Sequence, residues 1–273
     1  SNGKSVFYSG DFRAHGRKWK AYRWFLHHAP KDVDCLLLEG TRIGREAEQP
    51  LMEEELEHSF ASLFKNSGSI NYIYTSSQNI DRLVTIYKAC LTVGKTFVID
   101  VYTANILETL SDYASLPSTL KGYQNLKVLF PHKITTRLFR EGFDQMANKF
   151  AKQKIRKEKI SADPSKFVVL VRPSMKADLE KISADRGNLI YSMWEGYKQQ
   201  DYTKNFLDWL AGKGFSIYDL HTSGHADIET LKEMADTTNP KTLVPIHTLN
   251  KLDYKKIFSQ QVLEVEDNEL IRI

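Results

Sequence analysis

The sequence holds only two cysteines in 273 residues, Cys35 and Cys90, each inside an apolar segment and far from the other. That placement makes neither a disulfide framework nor a cysteine-based metal motif. Both read as buried thiols of a reducing compartment, so a cytoplasmic location is the expectation. There is no uninterrupted apolar run of the roughly 18 residues that a transmembrane helix needs, and no membrane partner is expected. The opening Ser1-Asn2-Gly3-Lys4 leads into an apolar run too short for a secretory h-region. Net charge is low at +4, which permits an anionic substrate without arguing for one. What is present is an ordinary apolar fraction of 41%, enough for a packed core, and a length that allows one large or two ordinary domains.

The richest stretch runs from Asp219 to Thr248. Phe215 to Leu220 reads as a strand after a Gly-Lys-Gly turn, and His221, Ser223 and His225 follow it. Asp227 suits a helix N-cap, with Ile228, Leu231, Met234 and Ala235 at helical spacing behind it. Thr242 to Ile246 reads as a second strand, followed by His247. Strand, loop, helix and strand in this order predict a parallel crossover, and chemistry in such sheets collects beyond the carboxyl ends of the strands. A histidine at a strand end is commonly a hydrogen-bonded structural residue, but similar strand ends recur earlier. Lys4 to Ser9 predicts a strand ended by Gly10-Asp11, and Asp34 to Leu38 predicts a buried strand ended by Glu39-Gly40-Thr41. The basic loop with Arg13, His15, Arg17, Lys18 and Lys20 reads either as solvated or as phosphate-contacting.

Between these pieces the chain alternates helix and strand. Glu46 to Lys65 predicts an amphipathic helix, Ser69 to Tyr74 a strand, Ile80 to Thr92 a helix and Thr96 to Val101 a strand. Ser76, Ser77 and Asn79 suit a helix N-terminus, which also suits a phosphate. Asp100-Val101-Tyr102 lacks the second aspartate that a haloacid-type phosphatase needs, so that chemistry is excluded. Leu126 to Phe130 and Phe167 to Val171 are further strands, with one helix predicted over Thr135 to Ile160. That helix ends in Lys152, Lys154, Arg156, Lys157 and Lys159, read as a solvated face with a nucleic-acid role as the alternative. Leu189 to Met193 is another strand, and the alternating tail from Gln261 to Ile273 predicts closing edge strands. The expected organisation is an α/β module over residues 49–188 inserted between two outer pieces, 1–48 and 189–273.

Four motifs now stand in order: Ser9-Gly10-Asp11-Phe12-Arg13, Leu37-Leu38-Glu39-Gly40-Thr41, Ser223-Gly224-His225-Ala226 and Pro245-Ile246-His247. Together they resemble the later motifs of the metallo-β-lactamase superfamily in its β-CASP nuclease branch, that of the RNase J-like and mRNA 3′-end-processing exonucleases. Ile190 to Tyr197 resembles that branch's return strand, and Ser76 to Arg82 a helix start in its inserted domain. The resemblance implies an α/β fold: an incomplete metallo-β-lactamase-like αββα domain with an inserted β-CASP α/β domain. It implies Asp11 as the aspartate bridging two zinc ions, His247 as a ligand of the second zinc, and Glu39 as the carboxylate orienting a metal-bound histidine. It also implies His225 beside the scissile phosphate, with Ser223, Ser192, Ser76 and Ser77 as substrate contacts. The implied reaction is phosphodiester hydrolysis of RNA, with single-stranded DNA the lesser partner.

The sequence departs from the family by lacking its His-x-His-x-Asp-His motif. The expectation drawn from this is that the first half of the lactamase-like domain precedes Ser1. This chain alone would then bind zinc weakly and hydrolyse little, and an exposed sheet face would seek the absent half-domain or a second copy as a homodimer. The alternatives are a metal-free nucleic-acid-binding or scaffold member of the same fold, and a small-molecule hydrolase of the lactamase fold.

Overall fold

The structure is a computed structural model that describes residues 3–45, 50–266 and 268–273. Its strands, in chain order, are β1 (Val6–Tyr8), β2 (Cys35–Glu39), β3 (Ile70–Tyr74), β4 (Thr96–Asp100), β5 (Leu126–Leu129), β6 (Phe167–Leu170), β7 (Gly187–Tyr191), β8 (Phe215–Asp219) and β9 (Thr242–Ile246). The helices are α1 (Trp19–His28), α2 (Glu53–Asn66), α3 (Ile80–Thr92), α4 (Val101–Leu110), α5 (His132–Arg140), α6 (Asp144–Lys149), α7 (Lys157–Ala162), α8 (Lys176–Leu179), α9 (Asp201–Gly212), α10 (Ile228–Thr238) and α11 (Tyr254–Ile257). The fold is α/β with parallel sheets, as the alternating pattern predicts. The chain divides into two compact units, Ser1–Met52 with Thr222–Ile273, and Glu53–His221.

The first unit is built on a three-stranded parallel sheet in the order β1-β2-β9. The unbroken apolar run Cys35-Leu36-Leu37-Leu38 takes the centre, with Leu36 and Leu38 buried under the helices and Leu37, on the other face, half-buried. Leu36, Leu38 and Leu243 pack with Tyr22 and Leu26 of α1 and with Leu231, Met234 and Ala235 of α10. Asp227 caps α10 by accepting a hydrogen bond from the Thr230 N–H at 2.8 Å. β1 is the edge strand of this sheet, and its Val6 and Tyr8 are 54% and 63% exposed.

The second unit is a six-stranded parallel sheet in the order β5-β4-β6-β3-β7-β8, with helices on both faces. On one face lie Leu56, Phe60 and Phe64 of α2, Leu83 and Ile86 of α3, and Leu107 of α4. On the other lie Met175, Leu179 of α8, and Phe206 and Leu210 of α9. The period-two alternation of β3 serves both, with Tyr72 turned to one cluster and Ile73 to the other. Glu53 and Arg82, both fully buried, form a two-pronged ion pair (3.1 and 3.3 Å) that Thr85 Oγ completes at 2.8 Å.

Four expectations differ from what forms. The inserted unit runs to His221 rather than 188, because β7 and β8 pair in parallel beside β3 and so extend its sheet. For the same reason β8 and β9 are not neighbours in one crossover; His221 closes the second unit while His225 and His247 belong to the first. The single helix expected over 135–160 is broken into α5, α6, a 3-10 turn and α7, with Gly142 in the left-handed region (φ +79°) ending the first piece. Among the described residues the tail makes a single bridge, Leu243 to Val262, instead of edge strands. Residues 46–49, where the acidic helix and the first domain boundary were expected to begin, lie outside the described residues; α2 starts at Glu53.

Candidate metal centre

Four chain segments of the first unit bring one side chain each to the carboxyl edge of the three-stranded sheet. Asp11 follows β1 and a left-handed Gly10 (φ +59°). Glu39 is the last residue of β2. His225 lies in the loop before the Asp227 cap of α10. His247 follows β9 directly and itself adopts the left-handed region (φ +50°), a conformation that costs a non-glycine residue about 1–2 kcal/mol. Each residue offers one donor atom, and these four atoms lie within 4.8 Å of one another.

The contacts sort the four into two pairs. Asp11 and His247 are both about half exposed and meet through Oδ1 and Nδ1 at 2.8 Å. Thr41 Oγ donates to the His247 carbonyl and sits 3.2 Å from its Nδ1. Glu39, in contrast, is wholly buried. Its Oε1 accepts from the Phe12 and Ala226 N–H groups at 3.4 and 3.3 Å, and its Oε2 from the Thr41 N–H at 3.1 Å. His225 Nδ1 lies 3.3 Å from the same Oε2, without the alignment of a hydrogen bond. Burial opposes the charge on Glu39, yet His225 and the Thr41 N–H together outweigh it and hold the carboxyl below its ordinary range. The same contact with Glu39 raises His225 above an ordinary histidine, against the effect of its own burial.

Two carboxylates and two imidazoles this close suit zinc by donor type and by span. Asp11 and His247 have the exposure a first ligand needs. Glu39, by contrast, is buried and accepts from three backbone N–H groups while facing His225.

The basic loop after Asp11 proves structural in part. Arg13 donates to the Ser223 carbonyl at 2.9 Å, and buried His15 reaches the same oxygen through Nε2 at 2.7 Å. Ser223 Oγ in turn accepts from the His225 N–H at 3.1 Å, so the loop braces His225 from behind. Thr41, Arg13 and His15 were not assigned these contacts from sequence, since only the fold brings them there. Ser76, Ser77 and Ser192 lie in the second unit. Ser76 is exposed. Ser77 is buried against Thr103 Oγ and Arg172, both at 2.6 Å. Ser192 is buried between the Leu220 carbonyl, to which it donates at 2.6 Å, and the Arg82 guanidinium.

No curated protein matches the chain. A crystal structure of a protein of unknown function from Enterococcus faecalis V583 is similar at 20% identity and a TM-score of 0.72, over 98% of this chain and 58% of that one. At that identity the likeness speaks for the fold alone, and the chain spans under two thirds of that protein's length. Residues 215–256 match the family described as the Zn-dependent metallo-hydrolase RNA specificity domain (RMMBL). That segment, well under half of the chain, holds β8, α10, β9, His225 and His247, and its match supports a relation to the metallo-β-lactamase superfamily.

Proposed function

We propose that this chain carries part of the metal centre and the inserted domain of a zinc-dependent phosphodiester hydrolase acting on RNA, of the β-CASP nuclease kind. The observation that carries the reading is the convergence of Asp11, Glu39, His225 and His247, two of which lie inside the RNA-specificity match. Asp11 and His247 would hold zinc, which when bound makes a hydroxide available near neutral pH and offsets phosphate charge. Glu39 would fix the orientation of His225, and His225 would stabilise negative charge at the scissile phosphate or its leaving oxygen. Ser223 and Ser76 are the more available phosphate contacts. Ser77 and Ser192 would first have to leave the buried partners they hold. The lactamase-like domain would comprise residues 1–52 and 222–273, and the inserted β-CASP-like domain 53–221.

Zinc bound per chain, measured by elemental analysis after equilibration, tests the division of roles. In the complete protein, Asp11→Ala should lose zinc, whereas His225→Ala should keep most of it while abolishing RNA cleavage. Glu39→Gln should likewise keep most of the zinc while slowing cleavage, because it removes the charged partner that faces His225. Unchanged zinc in Asp11→Ala would sink the assignment. The 2.8 Å Asp11–His247 contact also favours a second reading, a metal-free nucleic-acid-binding member, because it satisfies both groups without an ion. RNA binding with no zinc uptake at these residues would select that reading.

A further inference from the structure

Two segments of this protein are strongly basic. Residues 12–31 hold six Lys or Arg and no Asp or Glu, and residues 131–160 hold nine against three, a net +6 each, while the whole chain holds 38 against 34. The second of these segments lies in the second unit. A solvated helix face would spread these charges around a cylinder. The breaks between α5, α6 and α7 do otherwise. They fold the segment back on itself, and Lys154 bridges to Val128 of β5.

The result is a cleft of about 430 Å³ beyond the carboxyl end of β5. Phe130, Phe139, Thr135, Lys154, Lys157 and Lys181 are among the residues that line it. Ile134 and Leu138 turn α5 inward against the core, which leaves Phe139 51% exposed on its outer side, and Phe143 nearby is 54% exposed. Lys154 Nζ stands 5.2 Å over the Phe130 ring. Thr135 Oγ is buried in the wall and lacks a hydrogen-bond partner. Lys157 is held by Asp178 at 2.6 Å, but Lys154 and Lys181 make no ion pair among the described residues. Exposed phenylalanine rings cost solvation, and clustered uncompensated lysines repel one another. A ligand that offers both a π-face and a phosphate relieves both costs at once.

We infer that this cleft binds single-stranded RNA, with bases stacked on Phe139 and the phosphate backbone on Lys154 and Lys181. The identity of the polyanion rests on the RNA-hydrolase reading above; the existence of a polyanion site rests on the cleft alone. Duplex RNA hides its base faces and would meet only the lysines.

The test uses the full chain in EDTA, so that binding is read without metal-dependent cleavage, and a fluorescein-labelled oligouridine of about 12 nucleotides followed by anisotropy. Phe139→Ala should weaken binding by about tenfold with the salt dependence unchanged, as expected for one lost stacked base. Lys154→Gln with Lys181→Gln should weaken it similarly and flatten the slope of log K against log salt by about 1.4, two phosphates' worth for a single strand. All three side chains are on the surface, and circular dichroism checks that the variants fold. Parent-like binding by these variants would overturn the inference, as would equal affinity for duplex RNA, for anionic lipid vesicles or for polyglutamate. Zinc content, measured on separate zinc-equilibrated samples free of EDTA, reports on the hydrolase reading, so either can fail without the other.

Discussion

Asp34 is the residue whose protonation state most directly ties together the first unit. Its carboxylate accepts from Lys241 Nζ at 2.8 Å and from the Ser5 N–H at 2.9 Å, with Lys4 Nζ at 3.4 Å, which joins the start of β1 to the start of β9. Lys241 above all, then Ser5, hold its pKa well below the ordinary 3.8. A depressed native pKa stabilises the fold fully above the ordinary value, and that contribution fades as pH falls through the native one. Asp34→Asn should therefore lower the melting temperature near pH 7, and the difference from the parent should shrink below about pH 4. A difference that persists in acid would mean that geometry, not charge, is what Asp34 supplies. At this scale much of the candidate site was legible. Asp11, Glu39, His225 and His247 stand at strand or loop ends in the sequence, and the structure brings their donor atoms together. Thr41, Arg13 and His15 were not legible as braces, because a side chain's hydrogen-bond partner 200 residues away leaves no local signal.

At the scale of elements, α2 and α3 are locked by a charge pair as well as by apolar packing. Glu53 opens α2 among three acidic residues, and its neighbours give no reason to expect burial. It is nevertheless fully buried against Arg82, whose guanidinium also reaches Ser192 at the end of β7. Breaking such a pair leaves a buried charge alone, so Glu53→Ala or Arg82→Ala should destabilise the second unit by about 3–5 kcal/mol. Replacing both by apolar residues of similar volume should cost far less. Denaturant titration of the two single variants and the double variant checks this, and strictly additive losses would show that the two residues act independently. The helix α3 was predicted at its observed limits, because the amphipathic period and the Asn79 cap are local. The first break in 135–160 has a local sign in Gly142, which ends α5 in the left-handed region, whereas the later one accompanies the tertiary pairing of Lys154 with β5.

At the scale of the molecule, the two units carry separate cores and separate sheets. The second has six strands covered on both faces, a complete core by the usual measure of a doubly wound domain. Residues 53–221 expressed alone should therefore fold and melt cooperatively. Zinc should raise the melting temperature of the full chain, through binding to the native first unit, and leave that of 53–221 unmoved. A zinc-dependent shift in the isolated unit would place the ion elsewhere than at Asp11 and His247.

Some features of this protein are decided by the sequence itself. Parallel α/β architecture follows from unbroken apolar strand runs alternating with amphipathic helices, since each depends on neighbours within a few turns of chain. The order of the four polar strand ends is likewise linear information. Only the tertiary structure decides which strands pair. It moves β7 and β8 into the second unit, because edge-to-edge hydrogen bonding with β3 is settled by the whole sheet and not by any one strand. It also decides which polar groups are left available. Glu53, in an acidic helix start, and Ser192, implied as a substrate contact, are committed by burial and pairing, whereas Phe139 is left in solvent because Ile134 and Leu138 face the core.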